Sequence, residues 1–355
     1  MDRRRFAVGV IGALAGAPFA ARAQQSAAKR IALLIPFVDD AAAQAQVAAF
    51  GDELRHLGWT EGGNLLTEVR WSKGDLNLIR RHAKELVASA PDLILSRTTP
   101  VTAALLGETR SIPIVFVVVS DPVGDRFVSS LARPGGNVTG FTNVEATLGG
   151  KWVDPLRQVK PDLGRVGVFY GPKTAPGGGT YYLRMVEAAC RYVSIPSLPL
   201  PITDESQLAR AIAELAGDRK LGFVVTPDVT TATNRKTIIG GAAQYKIPAI
   251  CPASYYADEG ALIAYGIDYV DQYRRAAGYA DRILRGARPG DLPVQAPSKF
   301  DGHQPARREG AGHRCSGWGV ATRRSSDRAL IEIKNPDFVF LVVRVLSLIA
   351  RGGGG

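Results

Sequence analysis

The sequence predicts an α/β protein of two lobes, each built on a doubly wound parallel sheet and joined by a hinge. Short continuous apolar runs, which are typical of buried parallel strands, alternate with segments of helical periodicity over short connections. This alternation restarts after the Arg-Pro-Gly-Gly-Asn stretch at 133–137. A chain of 355 residues is also too long for one small core, so each run of alternation is expected to form its own lobe.

In the first unit, apolar runs place strands at 30–36, 65–71, 93–96, 114–119 and 138–141. The first helix carries apolar residues three or four positions apart, and Gly58 is expected to end it. Asp75 is expected to cap the second helix, because an aspartate side chain accepts hydrogen bonds from the free amides of a first turn.

In the second unit, strands are expected at 165–170, 223–226, 247–251 and 261–265. Helices are expected at 148–159, 181–192, 208–215, 236–245 and 272–284. Ligands of doubly wound sheets bind outside the carboxyl ends of the strands. The two units therefore predict a cleft between the lobes, lined by the loops that follow the strands.

Charge and cysteine usage exclude several classes of partner. The net charge is +11, but residues 1–23 carry +3 and residues 301–355 carry +4, which leaves +4 for the 277 residues between them. A nearly balanced body gives little support for nucleic acid as a partner. The three cysteines have no paired spacing, so neither a disulfide scaffold nor a cysteine zinc site is expected, and no metal or cofactor is predicted.

The first 23 residues have the architecture of a secretory signal peptide. A basic stretch at Arg3–Arg5 precedes an apolar stretch at 7–20, and Ala21-Arg22-Ala23 is a small-x-small cleavage site. The apolar stretch is too short to span a bilayer. Export to the periplasm is predicted, and the Arg-Arg-x-Phe pattern leaves the twin-arginine and the general routes open.

Motifs for catalysis are missing from the sequence. The chain has four histidines, no Gly-x-Ser-x-Gly elbow and no phosphate-binding loop of the Gly-x-x-x-x-Gly-Lys-Ser/Thr type. Gly177-Gly178-Gly179 follows a long Pro-rich loop and is interpreted as a flexible loop that can contact a ligand. The sequence therefore predicts that the protein is not an enzyme.

Polar and aromatic side chains lie in the loops that follow the strands, and these loops are expected to line the cleft. The candidate ligand-binding residues are Phe37, Asp39, Thr98, Thr99, Ser120, Asp121, Thr142, Tyr170, Asp228, Tyr256 and Asp268, and Asp40, Asn143 and Tyr255 lie in the same loops. Hydroxyls and helix N-terminal amides suit a carboxylate, aspartates suit an ammonium group, and aromatic faces suit an apolar or aromatic group. Each residue also has a structural alternative, since Asp and Thr cap helices.

A family resemblance rests on four segments. These are RIALLIPF at 30–37, PDLILSRTTPVTAAL at 91–105, the SDPVG and LARPGGNVTG block within 112–143, and the stretch from QYKIPAICPASYY to SKF at 244–300. Together they resemble the ABC transporter substrate-binding proteins of the tryptophan/tyrosine type, which have the type I periplasmic-binding fold. The resemblance implies that a small-molecule ligand closes the lobes and that the closed form, a monomer, docks on an ABC permease in the inner membrane. Aromatic amino acids are one candidate ligand class.

The resemblance also implies boundaries and residue roles. Residues 29–142 with 261–288 would form the first lobe, and residues 143–260 with 289–300 the second. Thr99, Ser120 and Asp121 match the family pattern best, whereas Asp268 stands where relatives often carry Asn. One alternative is an enzyme on a doubly wound fold, but the sequence has no dinucleotide fingerprint. Another is a ligand-sensing regulator, which would need DNA-binding helices at the N-terminal position where this sequence has a predicted signal peptide.

Residues 301–355 depart from the family pattern. This stretch is rich in Gly and Arg and lacks the periodicity of a helix or a strand. With permitted codons, reading the gene one base later from Gly302 gives V-I-N-L-R-E-G-K-A-L-G-I-D-V, which resembles the ending of the family. The sequence therefore predicts a shifted reading frame and a disordered or poorly packed tail.

Overall fold

The computed structural model describes residues 28–145 and 147–301, together with the backbone of three strands between 320 and 343. The signal peptide predicted at 1–23 lies outside the described residues. Among the described helices, none combines the length and the apolar character needed to cross a bilayer.

The first lobe is a five-stranded parallel sheet in the order β2-β1-β3-β4-β5. Its strands are β1 (Lys29–Ile35), β2 (Leu65–Trp71), β3 (Leu93–Arg97), β4 (Ile114–Val119) and β5 (Val138–Thr142). All four pairings are parallel, and the central strands are almost wholly buried. Continuous apolar runs predicted these strands because both faces of the sheet are covered.

Helices α1 (Ala41–His56), α2 (Leu76–Ala88) and α3 (Thr99–Glu108) belong to the first lobe. Asp75 caps α2 as predicted, accepting from the amides of Asn77 and Leu78. Asp40 caps α1 by accepting from the Ala43 amide. A fourth helix, α10 (Tyr269–Leu284), packs on α1 and β4 although it follows the second lobe in the chain.

The second lobe is a parallel sheet in the order β10-β9-β8-β6-β7. Its strands are β6 (Arg165–Tyr170), β7 (Ser197–Pro201), β8 (Leu221–Val225), β9 (Ala249–Cys251) and β10 (Ile263–Ala264). The larger helices are α4 (Leu148–Val159), α5 (Thr180–Tyr192), α6 (Glu205–Leu215) and α8 (Arg235–Gln244), with the short α7 (Val229–Thr233) and α9 (Tyr255–Asp258) between strands and helices. Both lobes therefore have the predicted architecture.

Strand β7 and helix α3 are among the elements that were not predicted from the sequence. Strand β7 contains Pro199 and Pro201, and it is tolerated because it lies at the edge of the sheet, where an amide can be lost without breaking a ladder. Helix α3 begins at Thr99 with Pro100 in its first turn, a position where proline costs no hydrogen bond. Its sequence is apolar nearly all round, so it lacks the one-sided pattern that identifies a helix.

The chain crosses between the lobes three times, after β5, after β10 and between Gln295 and Phe300. The strand β11 (Gly266–Ile267) pairs with β12 (Phe300–Asp301), and the Thr142 amide donates to the Gln295 carbonyl at 2.9 Å. Ile263–Ala264 lies in the second sheet, and residues 289–295 run along β5 of the first lobe. Helix α10, which lies within 261–288, packs on the first lobe. The lobe boundaries that the resemblance implies stay a prediction.

The remaining described strands are β13 (Val320–Ser325), β14 (Arg328–Ile333) and β15 (Val342–Val343). The first two pair with each other, and β15 pairs antiparallel with β10. They fall in the stretch for which the sequence predicts no strand. The rest of that stretch lies outside the described residues, and the shifted reading frame stays a prediction.

Candidate ligand-binding site

The carboxyl ends of the two sheets face each other, and side chains from both lobes meet between them. Arg235 at the start of α8 contacts Asp40 of the first lobe at 3.1 Å. Tyr182 of α5 contacts Ser120, the residue after β4, at 2.6 Å between oxygen atoms. These contacts close the predicted cleft from both sides.

Arg97 is the central polar residue of this cleft. It ends β3, its residue is 3% exposed, and its guanidinium lies over the rings of Phe37 at 4.5 Å and Tyr269 at 5.5 Å. No carboxylate of residues 28–145 or 147–301 pairs with it, and its Nε has no acceptor there. Aromatic faces offset part of the cost of burying a cation, but a buried arginine without an acid is a ready site for a carboxylate.

The backbone after Arg97 adds a second feature that favours an anion. Thr98 has φ +77°, an uncommon value for a residue with a side chain, and its buried hydroxyl has no partner within the described chain. Helix α3 begins at the next residue, and the amides of its first turn have no partner within the helix. Thr98 and Thr99, both candidates from the sequence, directly follow Arg97, which was not predicted.

A cavity of about 20 Å³ lies beside Arg97 between the lobes. That volume holds about one water molecule. The contacts of Asp40 with Arg235 and of Ser120 with Tyr182 join the lobes, so the cleft is closed in this conformation. The cavity is lined by both lobes, with Phe37, Asp40, Gln46 and Arg97 from the first and Arg235 and Tyr255 from the second among its residues. Gln46 is 3% exposed, and its Oε1 has no hydrogen-bond partner in the described part of the chain.

Arg235 joins two acids across the cleft. Its Nε lies 2.9 and 2.8 Å from the two carboxylate oxygens of Glu259, and its terminal nitrogen lies 3.1 Å from Asp40. The guanidinium also lies 5.8 Å from the ring centre of Tyr255. Glu259 belongs to the second lobe, so the contact with Asp40 is the part of this cluster that opening would break.

A buried polar cluster lies on the other side of the cleft and consists of Ser120, Asn143 and Tyr182. Ser120 Oγ donates to Asn143 Oδ1 at 2.8 Å and lies 2.6 Å from the Tyr182 hydroxyl, whose oxygen lies 3.2 Å from the Pro227 carbonyl. Burial raises the pKa of Tyr182, so it remains a neutral donor. The predicted ligand residue Ser120 is thus engaged across the lobes, while Asn143 Nδ2 has no partner among the described residues.

Several other predicted residues have structural roles. Asp228 accepts five hydrogen bonds, from Gly171, Thr174, Thr226, Thr230 and Thr231, and caps α7. Asp268 caps α10 through the Asp271 amide, and the carbonyl of Thr142 accepts from the Gln272 side chain at 2.6 Å. Asp228, Asp268 and Thr142 thus have structural roles. The side-chain oxygens of the two aspartates and the backbone carbonyl of Thr142 already accept hydrogen bonds from the protein.

The remaining candidates differ in exposure. Tyr256 and Tyr170 are buried, and the ring of Tyr256 lies 4.8 Å from that of Tyr255. Asp39 is exposed and accepts from Gln44, outside the cavity lining. The rings of Tyr255 and Tyr269 face the guanidinium groups of Arg235 and Arg97, at 5.8 and 5.5 Å respectively.

Asp121 lies in a turn with a second acid, Asp125. Asp121 accepts from the Gly124 amide at 2.8 Å, and its backbone carbonyl accepts from the Asp125 amide at 2.9 Å. Partial burial, with a contribution from the charge of Asp121, raises the pKa of Asp125 from 3.8 to about 6. Burial, with smaller contributions from the charges of Asp121 and Asp125, raises the pKa of Tyr181 on α5, a helix of the second lobe.

We expect Asp125→Asn to stabilise the protein at neutral pH. The folded chain holds this proton up to about pH 6 while the unfolded chain loses it near 3.8, so the free energy of unfolding falls over that window and is flat above it. At about pH 7.5 the variant should gain about 1 kcal/mol, discounted for solvent screening of a half-exposed group. Urea unfolding at several pH values measures this, and a gain that persists at about pH 4 would contradict it.

Comparison with known proteins gives three relevant matches. Residues 30–302 match the family model described as ABC transporter substrate binding protein. A "Tyrosine-binding protein" of Clostridioides difficile (strain R20291) is 27% identical over 245 residues, which are 68% of each chain. A Vibrio cholerae "conserved domain protein" of known structure is 27% identical with a TM-score of 0.71, over 77% of this chain and 90% of that one.

A further solved structure supports the fold alone. It is described as an ABC domain from Streptococcus pneumonia in complex with L-Trp, and it is 22% identical. Its TM-score is 0.70, over 77% of this chain and 90% of that one. The two-lobe arrangement with parallel sheets is therefore that of type I periplasmic-binding proteins.

Proposed function

Because the chain belongs to the ABC transporter substrate-binding protein family, and so binds a solute for an ABC importer, we propose that this solute is an aromatic L-amino acid. It is held between the lobes, with its carboxylate on Arg97 and its ring among the aromatic side chains of the cleft. The protein acts by binding and release, without chemical change of the solute.

The observation that carries this proposal is the buried guanidinium of Arg97. A cation at 3% exposure with no acid partner in the described chain is complementary to a carboxylate. The Thr98 hydroxyl, which also has no partner in the described chain, and the first-turn amides of α3 follow Arg97 in the chain and are further donors for an anion. Sugars offer no negative charge for this group, so the geometry favours a carboxylate ligand.

The aromatic character of the ligand is supported by the rings around Arg97 and by a relative. Phe37 and Tyr269 lie against the guanidinium, and Tyr255 lines the same cavity. Offset or edge contacts with such rings favour an aromatic side chain. The 27% identical relative is named for tyrosine, which is the same ligand class.

Binding requires the lobes to part, because the cavity beside Arg97 measures about 20 Å³ and the lobes are in contact at Asp40–Arg235 and Ser120–Tyr182. The lobes would rotate about the three crossing segments. When they close again, the ligand replaces solvent between them. We propose that the closed monomer docks on an inner-membrane ABC permease and that the protein reaches the periplasm through the signal peptide predicted at 1–23.

Isothermal titration calorimetry of the full chain tests the ligand class. L-tyrosine, L-tryptophan or L-phenylalanine should bind with a dissociation constant of about 1 μM or lower, and D-glucose should give no heat of binding. L-leucine controls for the aromatic ring, because it shares the charged groups. Tighter binding of glucose or leucine than of all three aromatic amino acids would contradict the proposal.

A further inference from the structure

Four charged groups in and beside the cavity are paired unevenly. Asp40 and Glu259 are both bound to Arg235, whereas Arg97 has no acid partner among the described residues. The four charges sum to zero, but one positive charge is left free and two negative charges share one cation. This pattern is complementary to a zwitterion, which brings one charge of each sign.

Arg235 is bound more firmly to Glu259 than to Asp40. It makes two contacts with Glu259 through Nε, at 2.9 and 2.8 Å, and one contact with Asp40 at 3.1 Å. Glu259 and Arg235 also lie on the same lobe, so their contact survives opening. Asp40 is therefore the acid that becomes free whenever the lobes part.

Gln46 supplies an independent sign of a ligand beside Asp40. Both residues line the cavity, and the side-chain oxygen of Gln46 has no hydrogen-bond donor within the described chain although the residue is 97% buried. A buried acceptor left without a donor is costly, so it calls for a donor that binding delivers. An ammonium group has three N–H donors and can serve Gln46 and Asp40 together.

We propose that Asp40 and Gln46 are specificity-determining residues that accept the ligand's ammonium group, and that Arg235 remains on Glu259 while this group takes its place at Asp40. This inference rests on the proposed function, because it concerns the amino end of the amino acid held by Arg97. It predicts discrimination between an amino acid and the same acid without its amine.

The test compares L-tyrosine with 3-(4-hydroxyphenyl)propionate by titration calorimetry on the full chain. The wild type should prefer tyrosine by about 100-fold or more. Asp40→Asn, which keeps an N-cap for α1, and Gln46→Met, which keeps the volume, should each lower tyrosine affinity about tenfold. Both should leave the affinity of the amine-free acid unchanged, which also reports that the cleft is intact.

Asp52→Asn is the matched control, because Asp52 is an exposed acid on α1, the helix that Asp40 caps, and lies outside the cavity lining. It should change neither affinity. An equal loss for both ligands in Asp40→Asn and Gln46→Met would overturn the inference while leaving the aromatic ligand in place. A wild type that binds no aromatic amino acid but binds another solute would overturn the proposed function, and this inference with it.

Discussion

Arg97→Met should reduce the affinity for an aromatic amino acid by at least about 100-fold, which corresponds to about 2.7 kcal/mol. Methionine keeps most of the apolar contact with Phe37 and Tyr269 but removes the charge and the donors. The ligand's carboxylate would then be buried without a partner, which is the costly outcome in a closed cleft. Titration calorimetry measures the loss.

The same substitution should leave the ligand-free protein at least as stable as the wild type. Arg97 is buried without an acid in the described chain, so its removal takes away an uncompensated charge. A higher melting temperature together with weaker binding is a signature that a structural role for Arg97 would not produce. A fall in both would contradict the assignment.

Two control variants sharpen this experiment. Arg97→Lys keeps the charge but loses the planar fork, so its affinity should lie between those of the wild type and Arg97→Met. Arg110→Met removes an exposed arginine beyond the far end of α3 and should leave binding unchanged. Equal losses in Arg97→Met and Arg110→Met would show that net charge, and not the cleft geometry, sets the affinity.

Gly266→Ala should destabilise the protein by about 3 kcal/mol and lower the melting temperature by about 8 °C. A methyl group at Gly266 would overlap the carbonyl oxygen and carbon of Pro252. Both atoms belong to the backbone, so no side chain can turn away to make room. Because Gly266 lies in the second crossing segment, ligand affinity should fall as well.

Gly278→Ala is the matched control for this substitution. Gly278 lies inside α10, and a methyl group there meets nothing within 4 Å. Alanine should therefore stabilise the helix by about 1 kcal/mol. Thermal unfolding of the two variants beside the wild type measures both effects, and a wild-type melting temperature for Gly266→Ala would contradict the steric argument.

Most strands could be predicted from sequence because each is a continuous apolar run. The runs at Leu65–Trp71, Ile114–Val119 and Arg165–Tyr170 match the observed strands at both ends. Elements without a one-sided or continuous pattern, such as α3 and the proline-containing edge strand β7, could not be predicted from the same signal. The lobe boundaries, which the family resemblance implied, stay a prediction.

Some strand-end residues singled out from the sequence meet the cavity or the opposite lobe, as Phe37 and Ser120 do, while their role in binding stays a prediction. Strand-end loops gave Phe37, Thr98 and Ser120, but Arg97 was missed because an arginine at the end of a strand is ordinarily solvated. Only the fold shows that aromatic rings from two different segments cover it. The pairing of Asp40 with Arg235 joins residues 195 positions apart, which no local pattern reveals.

The three segments between the sheets lie next to one another, since Thr142, Gln295 and Gln272 are joined by hydrogen bonds and β11 pairs with β12. Because the three crossing segments are adjacent, they restrict translation and twisting of one lobe against the other. Hinge rotation about the line through these segments is therefore the least restricted relative motion. A transporter that contacts both lobes at once would then respond to one variable, the angle between the lobes. Whether the cleft holds a ligand would thereby set the distance between the outer surfaces of the two lobes. The transporter would then not need to contact the solute itself.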